Sequence, residues 1–192
     1  MHTNHTKTCD LALQFSGFAL QNTSRYWQLN SYQNTYHLAS FTNEYAKSDN
    51  TELDSILNYK IYEAQKLGIE IFLNIKVPEK LNFQPIDIVI IIGNLIDNAI
   101  EATSKLKENK KIDMSIEFSR NVLYISVVNL FDGDLIFKNK KLKTTHVDKE
   151  YHGLGLQSVQ KSIEKYYGSM KLNHADKIFC VDVLLYNPIV KE

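Results

Sequence analysis

The chain has 192 residues, 22 basic against 22 acidic side chains, and 44% hydrophobic residues. That balance offers no electrostatic reason to bind nucleic acid or an anionic membrane. Cys9 and Cys180 lie too far apart for a metal-type spacing, no apolar run reaches the roughly 18 residues that span a bilayer, and no signal peptide is evident. The expectation is one or two small domains with reduced thiols, cytoplasmic, and without membrane contact of their own.

Residues 1–7 are polar. From about Thr8, Leu11, Phe15 and Phe18 follow a helical step, and Gln21-Asn22-Thr23-Ser24 breaks it. A second helical stretch follows, with Trp27, Leu38, Phe41 and Tyr45 near one face and Leu29, Tyr32, Tyr36 and Ala39 beside it. Two such helices make a hairpin over residues 1–48, too small to bury both faces alone. Pairing with a second copy into a four-helix bundle is the expected remedy.

The remainder, 49–192, reads as a second domain. Thr51 is expected to cap a helix bearing Leu53, Ile56, Leu57, Ile61 and Ala64, which ends at Gly68. Residues 69–77 alternate like a strand and stop at Pro78. A very apolar helix is expected from Pro85 to Lys107. Strands over Ile112–Phe118 and Val122–Val128 are joined at Ser119-Arg120-Asn121. Residues 130–151 carry no clear element; in a compact domain such a stretch is usually functional or disordered. Gly153 opens a helix to about Tyr167, Gly168 ends it, and Ser169–Asn173 with Ile178–Tyr186 close as a strand pair. The expected fold is α/β, a two-layer sandwich with one face of a mixed sheet covered by helices.

Three features converge on a phosphate-bearing ligand. In the apolar helix Asp87, Asn94, Asn98 and Glu101 recur at steps of seven, four and three, so they share one face. An unpartnered buried amide costs about 1–3 kcal/mol, and amide oxygens are suitable hard ligands for Mg²⁺. A strand ends at Asn129, whose amide can pair with a purine edge. Gly153-x-Gly155 then opens a helix, where backbone N–H groups can meet phosphate oxygens. Taken singly, the amides could simply bond to nearby backbone and the glycines could simply pack. Their order along the chain is more specific.

Asn94-Leu95-Ile96-Asp97-Asn98-Ala99-Ile100-Glu101-Ala102 resembles the N box of the GHKL ATPases, and His152-Gly153-Leu154-Gly155-Leu156-Gln157-Ser158-Val159 resembles their second glycine box. The wording is similar to the catalytic part of peptide-pheromone (quorum-sensing) sensor histidine kinases. Leu53-Asp54-Ser55-Ile56-Leu57-Asn58-Tyr59-Lys60 and Lys143-Thr144-Thr145 resemble them too. The resemblance runs from about Thr51 to Tyr186. It implies a Bergerat-type ATP-binding fold, ATP and Mg²⁺ as ligands, phosphoryl transfer to a His, and a response regulator as partner. By resemblance Asn98 is the Mg²⁺ ligand. Asn94 stands where gyrase- and chaperone-type members carry a catalytic Glu, and an amide cannot serve as that base. Asn129 stands where most histidine kinases have the adenine-binding Asp of an Asp-x-Gly-x-Gly motif, which this chain lacks. Glu101 occupies a position that is basic in many histidine kinases, so Lys105 and Lys143 are the candidates to meet phosphate charge. Thr144, Thr145, His152, Gly153, Leu154, Gly155 and Leu156 complete the expected ATP-binding set. His146 follows the Thr pair where relatives often have Lys.

The resemblance also implies an acceptor His early on a dimerising helix, and register places His5 there. Thr6 replaces the acidic residue expected beside it, which slows nucleophilic attack by the imidazole. His37 is the alternative, without an acceptor pattern around it. Rival readings are a degenerate, kinase-like dimer acting as a scaffold, an anti-sigma-factor-type protein-serine kinase, and a gyrase-like ATPase, the last opposed by Asn94.

Overall fold

The computed structural model describes residues 46–48, 50–132, 136–138, 141–143 and 154–187. The expected hairpin, with His5 and His37, lies outside the described residues apart from 46–48.

Helix α1 spans Thr51–Lys66. Its N-cap is Asn50, not Thr51: the Asn50 side chain accepts a bond from the Leu53 N–H at 3.0 Å. An amide one residue earlier is the better-placed acceptor for that orphan donor. Asp54 and Asn58 hold the chain entering the helix, Asp54 through the Ser48 N–H at 2.9 Å and Asn58 through the Ala46 N–H at 2.6 Å. At the other end Gly68 adopts φ 69°, and paired bonds from Gly68 to Gln65 and from Ile69 to Ala64 close the last turn. Strand β1 covers Glu70–Lys76.

Helix α2, Pro85–Ser104, starts with its proline as expected and stops three residues short of Lys107. It buries Ile88, Ile91, Ile92, Leu95, Ile96 and Ala99. It packs against α1, the sheet and a third helix, which explains why little of its surface is polar. Strands β2 (Lys111–Ser119) and β3 (Val122–Leu130) meet at a two-residue turn with Arg120 and Asn121 both at positive φ, the twist a tight hairpin requires. The segment expected to lack any element instead holds a short antiparallel ribbon, β4 (Ile136–Lys138) and β5 (Lys141–Lys143). Three-residue strands are too short for side-chain periodicity to reveal. Helix α3 spans Leu154–Glu164, then β6 (Ser169–Ala175) and β7 (Ile178–Tyr186) follow. The expected helix end at Tyr167 is instead a turn, with Gly168 N–H bonded to the Ile163 carbonyl.

The sheet order is β1-β2-β3-β7-β6, with β1 parallel to β2 and the other pairs antiparallel. Ile112, Met114, Ile116, Leu123, Ile125, Val127, Val181, Val183 and Leu185 form the sheet's side of one core with the helices. This is the expected two-layer α/β sandwich on a mixed sheet.

On the sheet face turned from that core, Asp113 is 7% exposed and sits between Phe72 and Val128 in the register. Burial raises its carboxyl to about 6, against a smaller opposing pull from Lys111. A folded-state value above the unfolded one means that this group's contribution is fully present at low pH and is lost as pH rises through about 6. Asp113→Asn is therefore expected to stabilise the domain at pH 8 by on the order of 2 kcal/mol and to flatten its pH dependence above about pH 4. Urea midpoints across pH measure this; an identical slope in both proteins would contradict it.

Candidate functional site

The N-terminal half of α2 runs antiparallel to α3, and they meet at two points. At one, the Asn94 side chain lies against Gly155: a Cβ on that glycine would stand 2.8 Å from Asn94 Oδ1. Only a glycine lets the first turn of α3 come this close to α2. The Asn94 Nδ2 donates to the Ile90 carbonyl of its own helix at 2.7 Å. The amide helix and the glycine helix are thus brought together, as the sequence order suggests. The first-turn N–H groups of α3, which have no partner within the helix, lie beside this contact.

One turn further along α2, the Asn98 Nδ2 is buried and has no hydrogen-bond partner among the described residues. Next on the same face, Glu101 Oε1 and Lys105 Nζ are 3.2 Å apart, so the two candidate phosphate-side charges partly neutralise one another. Beyond them α2 meets the end of β3. Thr103 Oγ1 donates to the Leu130 carbonyl at 3.3 Å, and Asn129 Nδ2 donates to the same carbonyl at 2.9 Å. Asn129 is 2% exposed, one residue inside β3 rather than at its end. Thr103 lies nine positions beyond Asn94, on the opposite, fully buried side of α2, so Asn129 meets this helix away from the face that carries Asn94, Asn98 and Glu101.

The remaining expected residues divide. Leu156 is half-buried against the core, Leu154 opens α3, and Lys143 ends β5. Thr144, Thr145, His146, His152 and Gly153 lie outside the described residues. Asp87, on the same face as the amides, serves the second α2–α3 contact: its carboxylate accepts from Lys165 Nζ at 2.6 Å and the Tyr166 hydroxyl at 2.7 Å. Burial alone would raise this carboxyl; Lys165 and Tyr166 outweigh it and hold it below the usual range. The lone Asp in an Ile-rich run signalled a buried partner, but nothing local pointed to residues 78 and 79 positions away. Likewise unforeseen, Lys60 bridges Glu63 (2.8 Å) and Asp97 (2.7 Å) between α1 and α2. A depression of about 330 Å³ beside that bridge is lined by Glu63, Lys66, Leu67, Asp97 and Ile100 and contains none of the candidate site residues.

The sequence profile of the GHKL domain matches residues 83–186, which is more than half of the chain. The chain belongs to the GHKL domain family. At that level it is an ATP-binding module of the kinase/ATPase type. No curated protein matches the chain in sequence. Among solved structures, the catalytic domain of the histidine kinase ThkA is similar over 73% of this chain and 93% of its own, at 23% identity and a TM-score of 0.56. Full-length ShkA, solved in complex with AMPPNP, is similar over 74% of this chain and 30% of its own, at 15% identity and a TM-score of 0.54. At these identities the likeness is one of fold, and it is a histidine kinase catalytic-domain fold.

The GHKL residues present suit a magnesium–nucleotide ligand. A buried, unpartnered Asn98 amide costs about 1–3 kcal/mol. A ligand that supplies phosphate oxygens and a cation can answer either end of that amide. One turn back, Asn94 Oδ1 closes on Gly155 and leaves no room for a Cβ, so the backbone of the first turn of α3 is held against the amide helix. Among the described residues there is no cluster of His, Cys, Asp and Glu that could hold a metal by itself. No described helix is long and apolar enough to cross a membrane.

Proposed function

We propose that this chain is the ATP-binding and phosphoryl-transfer module of a protein-histidine kinase in a two-component system, of the peptide-pheromone receptor type. The observation that supports it most is the unpartnered Asn98 amide one turn from the Asn94–Gly155 contact. In this reading Asn98 would hold Mg²⁺, which would supply positive charge against the phosphates. The backbone of Gly153, Leu154, Gly155 and Leu156 receives the phosphates with His152 beside it. Lys105, Lys143, Thr144 and Thr145 add donors, and Asn129 meets the purine. Asn94 contributes position rather than proton transfer, since a carboxamide does not titrate. Water is therefore not activated, and the γ-phosphoryl group passes instead to an imidazole, a step that needs alignment more than covalent help from the ATP site. The acceptor is His5, in a hairpin that pairs two copies of the chain, and the phosphoryl group then passes to an Asp of a response regulator. The module acts in the cytoplasm.

Incubation of the full chain with radiolabelled ATP and Mg²⁺ tests this. The expected result is an acid-labile, base-stable phosphoprotein that His5→Ala abolishes. Acid-stable, base-labile label would identify a protein-serine kinase of the anti-sigma-factor type instead. Thr6, the hydroxyl residue beside His5, favours one rival specifically: nucleotide bound without any label would identify a degenerate scaffold dimer. Steady phosphate release without phosphoprotein would identify an ATPase.

A further inference from the structure

The second contact between α2 and α3 lies at the far end of α3 from the glycine. Asp87, fully buried in the first turn of α2, engages both of its carboxylate oxygens, one with Lys165 Nζ and the other with the Tyr166 hydroxyl. Ser162 faces the same carboxylate from within α3. Tyr166 is itself held from three further sides. Its hydroxyl accepts from the Gln84 N–H at 2.9 Å, its ring meets Phe83 edge-on at 5.1 Å, and its carbonyl accepts from the Tyr186 N–H at 3.2 Å. The C-terminal end of α3 is therefore anchored to α2 and to β7 by directional bonds. Its N-terminal end presents Gly155 to Asn94.

Ten residues separate Gly155 from Lys165, about 15 Å of helix. A tilt of about 5° at the anchored end would move the glycine by about 1.3 Å. Displacements near 1 Å are large for a site that works by alignment. Apolar packing between the helices resists separation but is non-directional. The ion pair is buried only at its Asp87 end, and solvent at Lys165 limits what it adds to stability; what it and the Tyr166 hydroxyl supply is direction.

We propose that Asp87, Lys165 and Tyr166 are positioning residues for the nucleotide: they set the inclination of α3 so that its glycine-bearing first turn faces Asn94 and Asn98. This rests on the nucleotide-binding reading for its function, and on the two α2–α3 contacts for its structure.

Two readouts on the purified full chain test it. One is the Kd for Mg-ATP by calorimetry. The other, in the absence of nucleotide, is the NMR resonance of the Asn94 side-chain amide, which senses the approach of Gly155. Lys165→Met is expected to fold at a cost in stability, because the Tyr166 hydroxyl still bonds the buried Asp87 carboxylate and the lysine side chain is 59% exposed, and Tyr166→Phe keeps the ring. Both are expected to shift the Asn94 resonance and to raise Kd by about three- to tenfold. Lys165→Arg, which keeps the cation, is expected to restore most of the affinity. Ile116→Val, a sheet-core change that lowers stability by about 1 kcal/mol, is expected to leave both readouts unchanged. If Lys165→Met and Tyr166→Phe lower the melting temperature but leave the Asn94 resonance and Kd at wild-type values, the clamp is only structural. If the wild-type chain binds no nucleotide yet the resonance shifts, the clamp stands as a positioning device and the nucleotide reading fails. If the wild-type chain binds no nucleotide and the resonance stays put, both fall.

Discussion

Asn98→Ala is expected to weaken Mg-ATP binding at least tenfold, about 1.4 kcal/mol, while making the free protein no less stable. The two directions oppose each other for one reason. In the free domain the Asn98 amide nitrogen is buried without a partner, so its removal relieves a desolvation cost, and alanine is also the better helix former at an interior position of α2. With ligand bound, the same amide would hold the Mg-nucleotide, and alanine offers nothing in its place. Titration calorimetry and urea unfolding on one sample test both halves. Unchanged affinity would remove Asn98 from the ligand. Lost affinity accompanied by a large loss of stability would make it a structural residue.

Gly155→Val is expected to abolish measurable nucleotide binding, a loss well beyond tenfold, with the domain still folding cooperatively. The added Cβ would stand 2.8 Å from Asn94 Oδ1. That atom is the end of a side chain, so it can swing aside or α3 can back away by a few tenths of an ångström. Either response fills or moves the space in which phosphate is expected, and it does so without breaking the main-chain framework. Asn94→Ala combined with Gly155→Ala should recover stability relative to Gly155→Ala alone, because the two positions share one contact and do not add. Loss of cooperative unfolding in Gly155→Val would make the glycine a packing residue. A wild-type Kd would place the nucleotide elsewhere.

Much of the fold was legible because local rules and tertiary demands agreed. Gly68 ends α1 in the left-handed conformation that its position requires. Pro85 opens α2, and the apolar positions of β1 and β2 alternate to the face that meets the core, Ile71, Leu73 and Ile75 in one and Ile112, Met114 and Ile116 in the other. The misreadings came where a tertiary neighbour or a very short element decided. Asn50 took the cap from Thr51 and was held there by a bond from its Nδ2 to the Glu79 carbonyl, 29 residues away. The β4–β5 ribbon was invisible because a three-residue strand has too few positions to establish a period.

The candidate site divides along the same line. Residue order alone placed two amides on one face of a core helix and a Gly-x-Gly at the start of another, because helical periodicity is a property of the chain itself. Which groups those faces meet is not a local property. The pairing of Asn94 with Gly155, the missing partner of Asn98, the engagement of Glu101 with Lys105, and the capture of Asp87 by Lys165 and Tyr166 all depend on how α2 and α3 pack. Side-chain contacts across tens of residues come from the packing of whole helices, and no periodicity in either helix encodes its partner.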